Sequence, residues 1–247
     1  MKCFLTITAI FLFSLTCFAQ NSYEEQIEKA QSFFKEGQFQ KSIEIYEHLT
    51  QIEKINNPYI YYNLANTYYR NGDIGGAVLN IKKAVKLKPR DVDIRKNFEK
   101  ILAASGQTHD VDFSNFLLLF FSLNELSMVF VSLLILIFIF SSILIFRKIK
   151  KLKILVCFFI GVEIIFTPFW ILAVYNEVIV NSVVILSPCE ARSGPEKSEN
   201  SIFEVSAGKI AHVISRHSGW SYLKFNNKGQ NADLVGWVKD SDIGQIK

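Results

Sequence analysis

Residues 58–91 read PYIYYNLANTYYRNGDIGGAVLNIKKAVKLKPRD, and this stretch decides the fold of the N-terminal half. Tyr61, Leu64, Ala65 and Tyr68 recur at the 3.6-residue period of a helix and fill one face of it. Ala77, Ile81 and Ala84 do the same for a second helix. Gly72 supplies the turn between the two, and Pro89 stops the second. The small Ala65 and Ala77 let the helices approach closely. Working outward, Gly37 lies 35 residues before Gly72, and each glycine closes one helical pattern and opens the next. The unit is therefore repeated.

The order aromatic, Leu, small, Tyr, then Ala, Ile, Ala and Pro resembles the tetratricopeptide repeat slot by slot. A weaker copy, about 23–57, keeps Ala30, Phe33, Gly37, Ser42, Tyr46 and Leu49, with Lys29 where a large apolar residue is expected and no closing Pro. Val92 to Ala103 follows with Ile94, Phe98 and Leu102 between charges, the pattern of a capping helix, so the module spans 23–103. Two repeats and a cap are few for an array that usually needs about three units. The resemblance implies a concave face that binds a peptide or another protein. It places Tyr59, Tyr62, Asn66, Tyr69 and Arg70 on that face, although the same aromatics could instead pack against helices of the neighbouring copy.

The whole chain is too apolar for soluble repeats alone. Of 247 residues 50% are hydrophobic, 14% aromatic and only 20% charged, and 22 are Phe, so the excess must be concentrated somewhere. Residues 1–19 carry one Lys and then an uncharged apolar stretch, which reads as an export signal cleaved before Gln20, or else as an uncleaved N-terminal anchor. Residues 126–146 hold no charge and make a helix of about 32 Å, enough for a ~30 Å hydrocarbon core. The basic run RKIKKLK, 147–153, separates them from a second span, 154–175, with Trp170 and Tyr175 at its far end. Such a run between two spans stays in the cytoplasm, which leaves both chain ends on the exported side. Residues 113–125 are apolar but too short to cross and are expected to lie at the exported interface.

After the second span, 178–246 alternates β-branched runs with turn signals. Five strands are expected at Val178–Leu186, Ile202–Val205, Lys209–Ser215, Trp220–Phe225 and Leu234–Val238, closing a small barrel with Ala211, Val213, Leu223 and Phe225 inward. The order R-S-G-P, turn glycine, G-W, then G-W-V resembles a bacterial SH3-like domain. Trp220 is either a ligand-facing aromatic or barrel packing, whereas Trp237 is expected in the core.

The chain therefore reads as a multidomain membrane protein with an all-α repeat module, a two-helix transmembrane hairpin and an all-β SH3-like barrel. This order of parts resembles the BatE-type membrane proteins of bacterial aerotolerance operons. That resemblance implies a role in protein–protein interaction at the bacterial inner membrane, with von Willebrand A-type partners and both modules periplasmic. It supplies no catalytic residues and no cofactor. An adaptor is thus the leading expectation, and a peptidoglycan-binding or envelope-sensing protein acting through the SH3-like domain is the other.

Other chemistries find little support. A net charge of +4 from 27 basic and 23 acidic residues lacks the footprint of a nucleic-acid binder. Four Cys and four His form no metal or disulfide pattern, and the cluster His109, Asp110 and Asp112 reads as a solvated linker. No phosphate-binding glycine loop and no nucleophile–base set occur. Glu163 is the exception, a carboxylate midway along the second span that costs about 2.5–3.5 kcal/mol on insertion scales. It either pairs with a polar group on a partner helix or with Ser141 or Ser142 of the first span, or stays neutral beside a local water defect.

Overall fold

The computed structural model describes residues 23–107, 121–147, 149–175, 181–196, 199–225 and 234–246. The export signal, the cluster from His109 to Asp112, most of the interfacial segment, residues 178–180 and the loop 226–233 lie outside the described residues.

Five helices build the N-terminal module: α1 (residues 23–35), α2 (Phe39–Glu47), α3 (Pro58–Arg70), α4 (Ile74–Leu87) and α5 (Val92–Ala104). A wider turn, His48–Ile52, extends α2. Local chemistry fixes the helix starts. Asn57, Asp73 and Asp91 each cap a helix by accepting backbone N–H bonds, and Pro58 occupies the first turn of α3, where no N–H is needed. Gly37 and Gly72 both sit at positive φ, 77° and 84°, the left-handed exit that lets each helix pair fold back. The two copies thus share one turn geometry. Ala30, Ile43, Tyr46, Leu49, Ile60 and Leu64 form one buried cluster, and Ala65, Ala77, Val78, Ile81, Ala84, Ile94, Phe98, Ile101 and Leu102 form the next. Tyr68 packs against both and donates its hydroxyl to Glu47 Oε1 at 2.6 Å.

Two long helices follow, α6 (Leu123–Phe146) and α7 (Lys150–Val174), each long and apolar enough to cross a membrane. Ser122 and Glu125 close a capping box at the start of α6, three residues before the expected boundary. Of the basic run, Lys150, Lys151 and Lys153 already belong to α7. The helices pair along their length. Phe130 stacks on Trp170 with ring centroids 4.3 Å apart, Phe140 lies 6.0 Å from Phe159, and the Trp170 indole donates to Ser127 Oγ at 3.1 Å.

Among the described residues the C-terminal module is one antiparallel sheet of seven strands: β1 (Ser182–Ile185), β2 (Cys189–Arg192), β3 (Ser201–Val205), β4 (Ile210–His217), β5 (Trp220–Phe225), β6 (Leu234–Lys239) and β7 (Ile243–Gln245). Its order is β3-β2-β6-β5-β4-β1-β7. If flat, this sheet would hold β3 and β7 about 29 Å apart at the usual strand spacing. Val205 on β3 and Ile243 on β7 nonetheless share one buried cluster with Val183, Ile185, Ala191, Ala211, Leu223, Phe225 and Val238. The sheet therefore curls around a single core. Two of its strands, β2 and β7, were not expected: they are short and largely polar, and Ala191-Arg192 continue a strand where the turn-rich sequence reads as loop.

The helical module and the sheet are not separate bodies. In β1, Val183 and Ile185 face the core of the sheet, while Val184, 0% exposed, turns the other way into the helical cluster. Ile210 and Ile246 join it there, packed on the side of α4. Gly75 permits the contact, because a Cβ at that position would stand 2.1 Å from the Leu186 carbonyl oxygen. Gly208, at φ +83°, lies against the side chains of Ser105, Ile74 and Val78, where a Cβ would stand 2.9 to 3.3 Å from them.

Candidate protein-interaction groove

The face formed by α1, α3 and α5 carries the residues that the repeat pattern nominates. Asn66 accepts from Asn97 Nδ2 at 2.6 Å, which ties α3 to α5. Tyr62 and Tyr69 are half-buried against the helical core, and the Lys100 ammonium lies 5.1 Å from the Tyr69 ring. Arg70 is exposed and rests on the rings of Phe34 and Phe39, at 6.0 and 5.6 Å. Tyr59, 49% exposed, stands apart at the start of α3, where its hydroxyl meets Lys88 Nζ and donates to Asp91 at 3.2 Å. Packing on neighbours and exposure to a partner are therefore not exclusive. Each ring seats one side on its own helices and leaves an edge or a cation outward.

A shallow depression of ≈ 160 Å³ opens on this face between α1, α2 and α3. Gln31, Phe34, Lys35, Asn63 and Asn66 wall it, and Tyr46 and Thr67 form its floor. The floor is fixed from below. Thr67 donates to the Asn63 carbonyl at 2.8 Å, and burial pushes the Tyr46 hydroxyl up to about 12, partly offset by a hydrogen bond with Asn63. Its size suits one side chain. Small-molecule pockets usually enclose about 300–1,000 Å³.

On the opposite side of the module, Gln107 holds the sheet to the helices. Its side-chain Nε2 donates to the Gly208 carbonyl at 2.7 Å, and its Oε1 accepts from the Ile210 N–H at 3.1 Å. The amide thus satisfies a strand edge that would otherwise be left unpaired. His212 is half-buried on β4, with Ser182 Oγ 3.2 Å from Nδ1. Burial first, and then the charges of Lys82 on α4 and Lys224 on β5, hold its imidazole below the ordinary range. Sequence reasoning missed this seam. Its signal was the run Val183-Val184-Ile185, which lacks the polar alternation of a strand with one wet face.

The remaining nominated residues scatter. Trp220 is 9% exposed at the start of β5, with Lys239 Nζ 5.6 Å from its ring. Trp237 does not enter the core as expected: Val238 points inward, so its neighbour faces outward and packs on Tyr222 with centroids 5.1 Å apart. Glu163 is 8% exposed on α7, and neither carboxylate oxygen has a hydrogen-bond partner among the described residues. Ser142 donates to the Phe138 carbonyl of its own helix instead. Cys157 and Cys189 are free thiols, and among the described residues no three His, Cys, Asp or Glu gather as they would around a metal ion.

The family model of the tetratricopeptide repeat matches residues 58–91, which are α3, α4 and their flanking turns. Residues 58–91 form a tetratricopeptide repeat. Its occurrence points to protein–protein interaction in general, and the groove just described lies on the face that α3 presents. No curated protein matches the chain.

Proposed function

We propose that this chain is a non-enzymatic, membrane-anchored adaptor that holds partner proteins in the periplasm of a bacterial inner membrane. One observation carries the reading: the helical module before the apolar hairpin and the sheet after it share a buried seam around Val184. Two segments that share a core must lie on the same side of a membrane. A hairpin with two crossings returns the chain to the side it left, so the seam and the hairpin support each other. The apolar stretches of α6 and α7 are respectively 0% and 11% buried, as lipid-facing helices would be rather than the core of a soluble protein. The basic run 147–153 then favours the cytoplasm for the link and the outside for both modules.

On this reading the repeat groove engages a partner protein, and the SH3-like sheet steadies the short array at the place where further repeats would otherwise cover it. The BatE resemblance adds von Willebrand A-type membrane partners and a link to oxygen or envelope stress. Glu163 supplies a polar contact for the membrane helix of such a partner. The second reading, peptidoglycan binding or envelope sensing through the sheet, draws on the outward pair Tyr222 and Trp237 and on Trp220.

Single cysteines at Ser241 and at Lys151, in a background with the native cysteines replaced, test the topology with a membrane-impermeant maleimide on intact spheroplasts. Labelling at Ser241 and protection at Lys151 are expected. Protection at Ser241 with labelling at Lys151 would invert the arrangement and end the periplasmic reading. Retention of the detergent-solubilised chain on purified wall sacculi would favour the second reading over the adaptor.

A further inference from the structure

Among its described residues, the helical module leaves four large apolar side chains exposed: Ile52 at 69%, Val92 at 61%, Tyr59 and Leu87. They come from four different places, the close of the wider turn after α2, the start of α3, the end of α4 and the start of α5. Successive helices joined by short turns run antiparallel, so these four points fall at one end of the bundle and the Gly37 and Gly72 turns at the other. A random surface would scatter them over both ends. Tyr59 is also tied to the turn between α4 and α5, because Lys88 Nζ lies 4.4 Å from the centre of its ring and its hydroxyl donates to Asp91.

The same end touches the start of the apolar hairpin. Arg90, between α4 and α5, pairs with Glu125 of α6, and its guanidinium lies 5.8 Å from the centre of the exposed Phe121 ring. Glu125 is the last charge before the uncharged stretch 126–146, so in a spanning hairpin it marks headgroup depth. Arg90 then holds the apolar end within one side chain's length of that depth. Charge does not select what covers it: residues 23–25, 52–59 and 86–93 hold four Lys and Arg against five Asp and Glu. The end offers apolar and aromatic groups framed by long side chains that keep their charges in water, a composition suited to a bilayer interface.

We propose that the end of the repeat module formed by Ile52, Tyr59, Leu87 and Val92 is a lipid-contact surface, whose apolar side chains enter the headgroup region of the leaflet that α6 enters. This contact rests on the hairpin crossing a membrane, and adds that the repeats lean on the same bilayer. The 14 residues of α4 measure about 21 Å, so the repeats stand upright with their concave face opening sideways within about 20 Å of the lipid. A partner anchored in the same membrane meets the groove there.

Single nitroxide labels test the contact on the full chain in phosphatidylcholine nanodiscs, with the native cysteines replaced. Ile52→Cys and Val92→Cys carry the probes. Asn71→Cys, at the opposite end of the module, is the aqueous reference, and Phe138→Cys on α6 is the lipid reference. All four positions are exposed, so the labels leave the buried clusters intact. Power saturation reads collisions with a water-soluble nickel chelate and with oxygen, which concentrates in lipid. Relative to position 71, labels at 52 and 92 should meet nickel about two- to fivefold less often and oxygen more often, as shallow immersion requires. Fewer collisions with both reagents would mean that protein, such as a second copy of the chain, covers this end, and would overturn the lipid contact. Equal values at 52, 92 and 71, with position 138 immersed, would overturn it as well and leave the hairpin standing. A label at 138 as open to nickel as that at 71 would remove the spanning hairpin, and the contact with it.

Discussion

Gly75→Ala puts the seam between helices and sheet to a direct test, because a single methyl group acts there with opposite signs. In a helix interior Ala is favoured over Gly by about 1 kcal/mol, and at the second position of α4 the gain is at most that. Against this gain, the new Cβ would stand 2.1 Å from the Leu186 carbonyl oxygen and 2.6 Å from its Cα, both backbone atoms that cannot rotate away. Ordinary contacts lie near 3.5–4.0 Å, so α4 must retreat from β1 by roughly 1 Å, enough to forfeit a quarter to a half of the attraction across the gap. Overpacking of this kind typically costs about 1–3 kcal/mol. The net expectation is a seam weakened by about 1–2 kcal/mol, while the helices themselves gain. Hydrogen–deuterium exchange on the solubilised chain reads this segment by segment. Amides of β1 and of residues 208–211 should exchange about five- to thirtyfold faster, while those of α3 should not. Gln107→Ala, which strands the Gly208 carbonyl and the Ile210 N–H without touching α4, should raise exchange at the same residues. Unchanged exchange of β1 in both variants would refute the claim that the modules share a core.

Acidification should loosen the same seam. The imidazole of His212 is held low by burial and by Lys82 and Lys224, so below about pH 6.5 the unfolded chain takes up a proton that the folded seam resists. Stability then rises with pH through the window beneath that value and is lost as pH falls. A urea titration at pH 7.5 and pH 5 should show a smaller pH dependence for His212→Gln, and an identical slope in both proteins would dismiss the effect. Glu163→Leu removes a lone carboxylate that costs on the order of 2.5–3.5 kcal/mol in a span, so the hairpin should insert at least as well as the parent. Membrane-embedded partners should co-purify less with it, whereas an undiminished complex would mean that the acid stays neutral between α6 and α7.

Much of the architecture was written in local periodicity, and the residues show why. Tyr61, Leu64, Ala65, Tyr68, Ala77, Ile81 and Ala84 recur on helix faces, and Gly72 needs its positive φ whatever surrounds it, so α3 and α4 are legible one turn at a time. The two long apolar helices follow from hydropathy and length alone. Trp220–Phe225 is bounded as expected because Leu223 and Phe225 alternate cleanly with polar neighbours. The strands that went unread, Cys189–Arg192 and Ile243–Gln245, derive their conformation from pairing with distant partners and carry no pattern of their own. Trp237 was misassigned for a related reason: bulk and aromaticity say that a side chain wants cover, but only the register against Arg192 and Tyr222 says on which face it finds it.

The groove divides in the same way. Asn66 and Arg70 could be nominated from their places in the repeat, yet Asn97 could not, since its bond to Asn66 spans 31 residues and two turns. Gln107 carries no motif at all. Its role depends on Gly208 arriving from the far side of the hairpin, 101 residues later. That separation carries a structural consequence. Two repeats and a cap expose the side of α4, which in a longer array the next unit would cover. The chain resolves this by sending its own C-terminal sheet back through the hairpin to cover Val78, Leu79 and Ile74. The face so covered lies away from the groove, so the module gains a cap without losing its open surface. An array stabilised in this way holds its concave face in one shape before any partner arrives, and binding then costs less ordering entropy than it would for two repeats left to themselves.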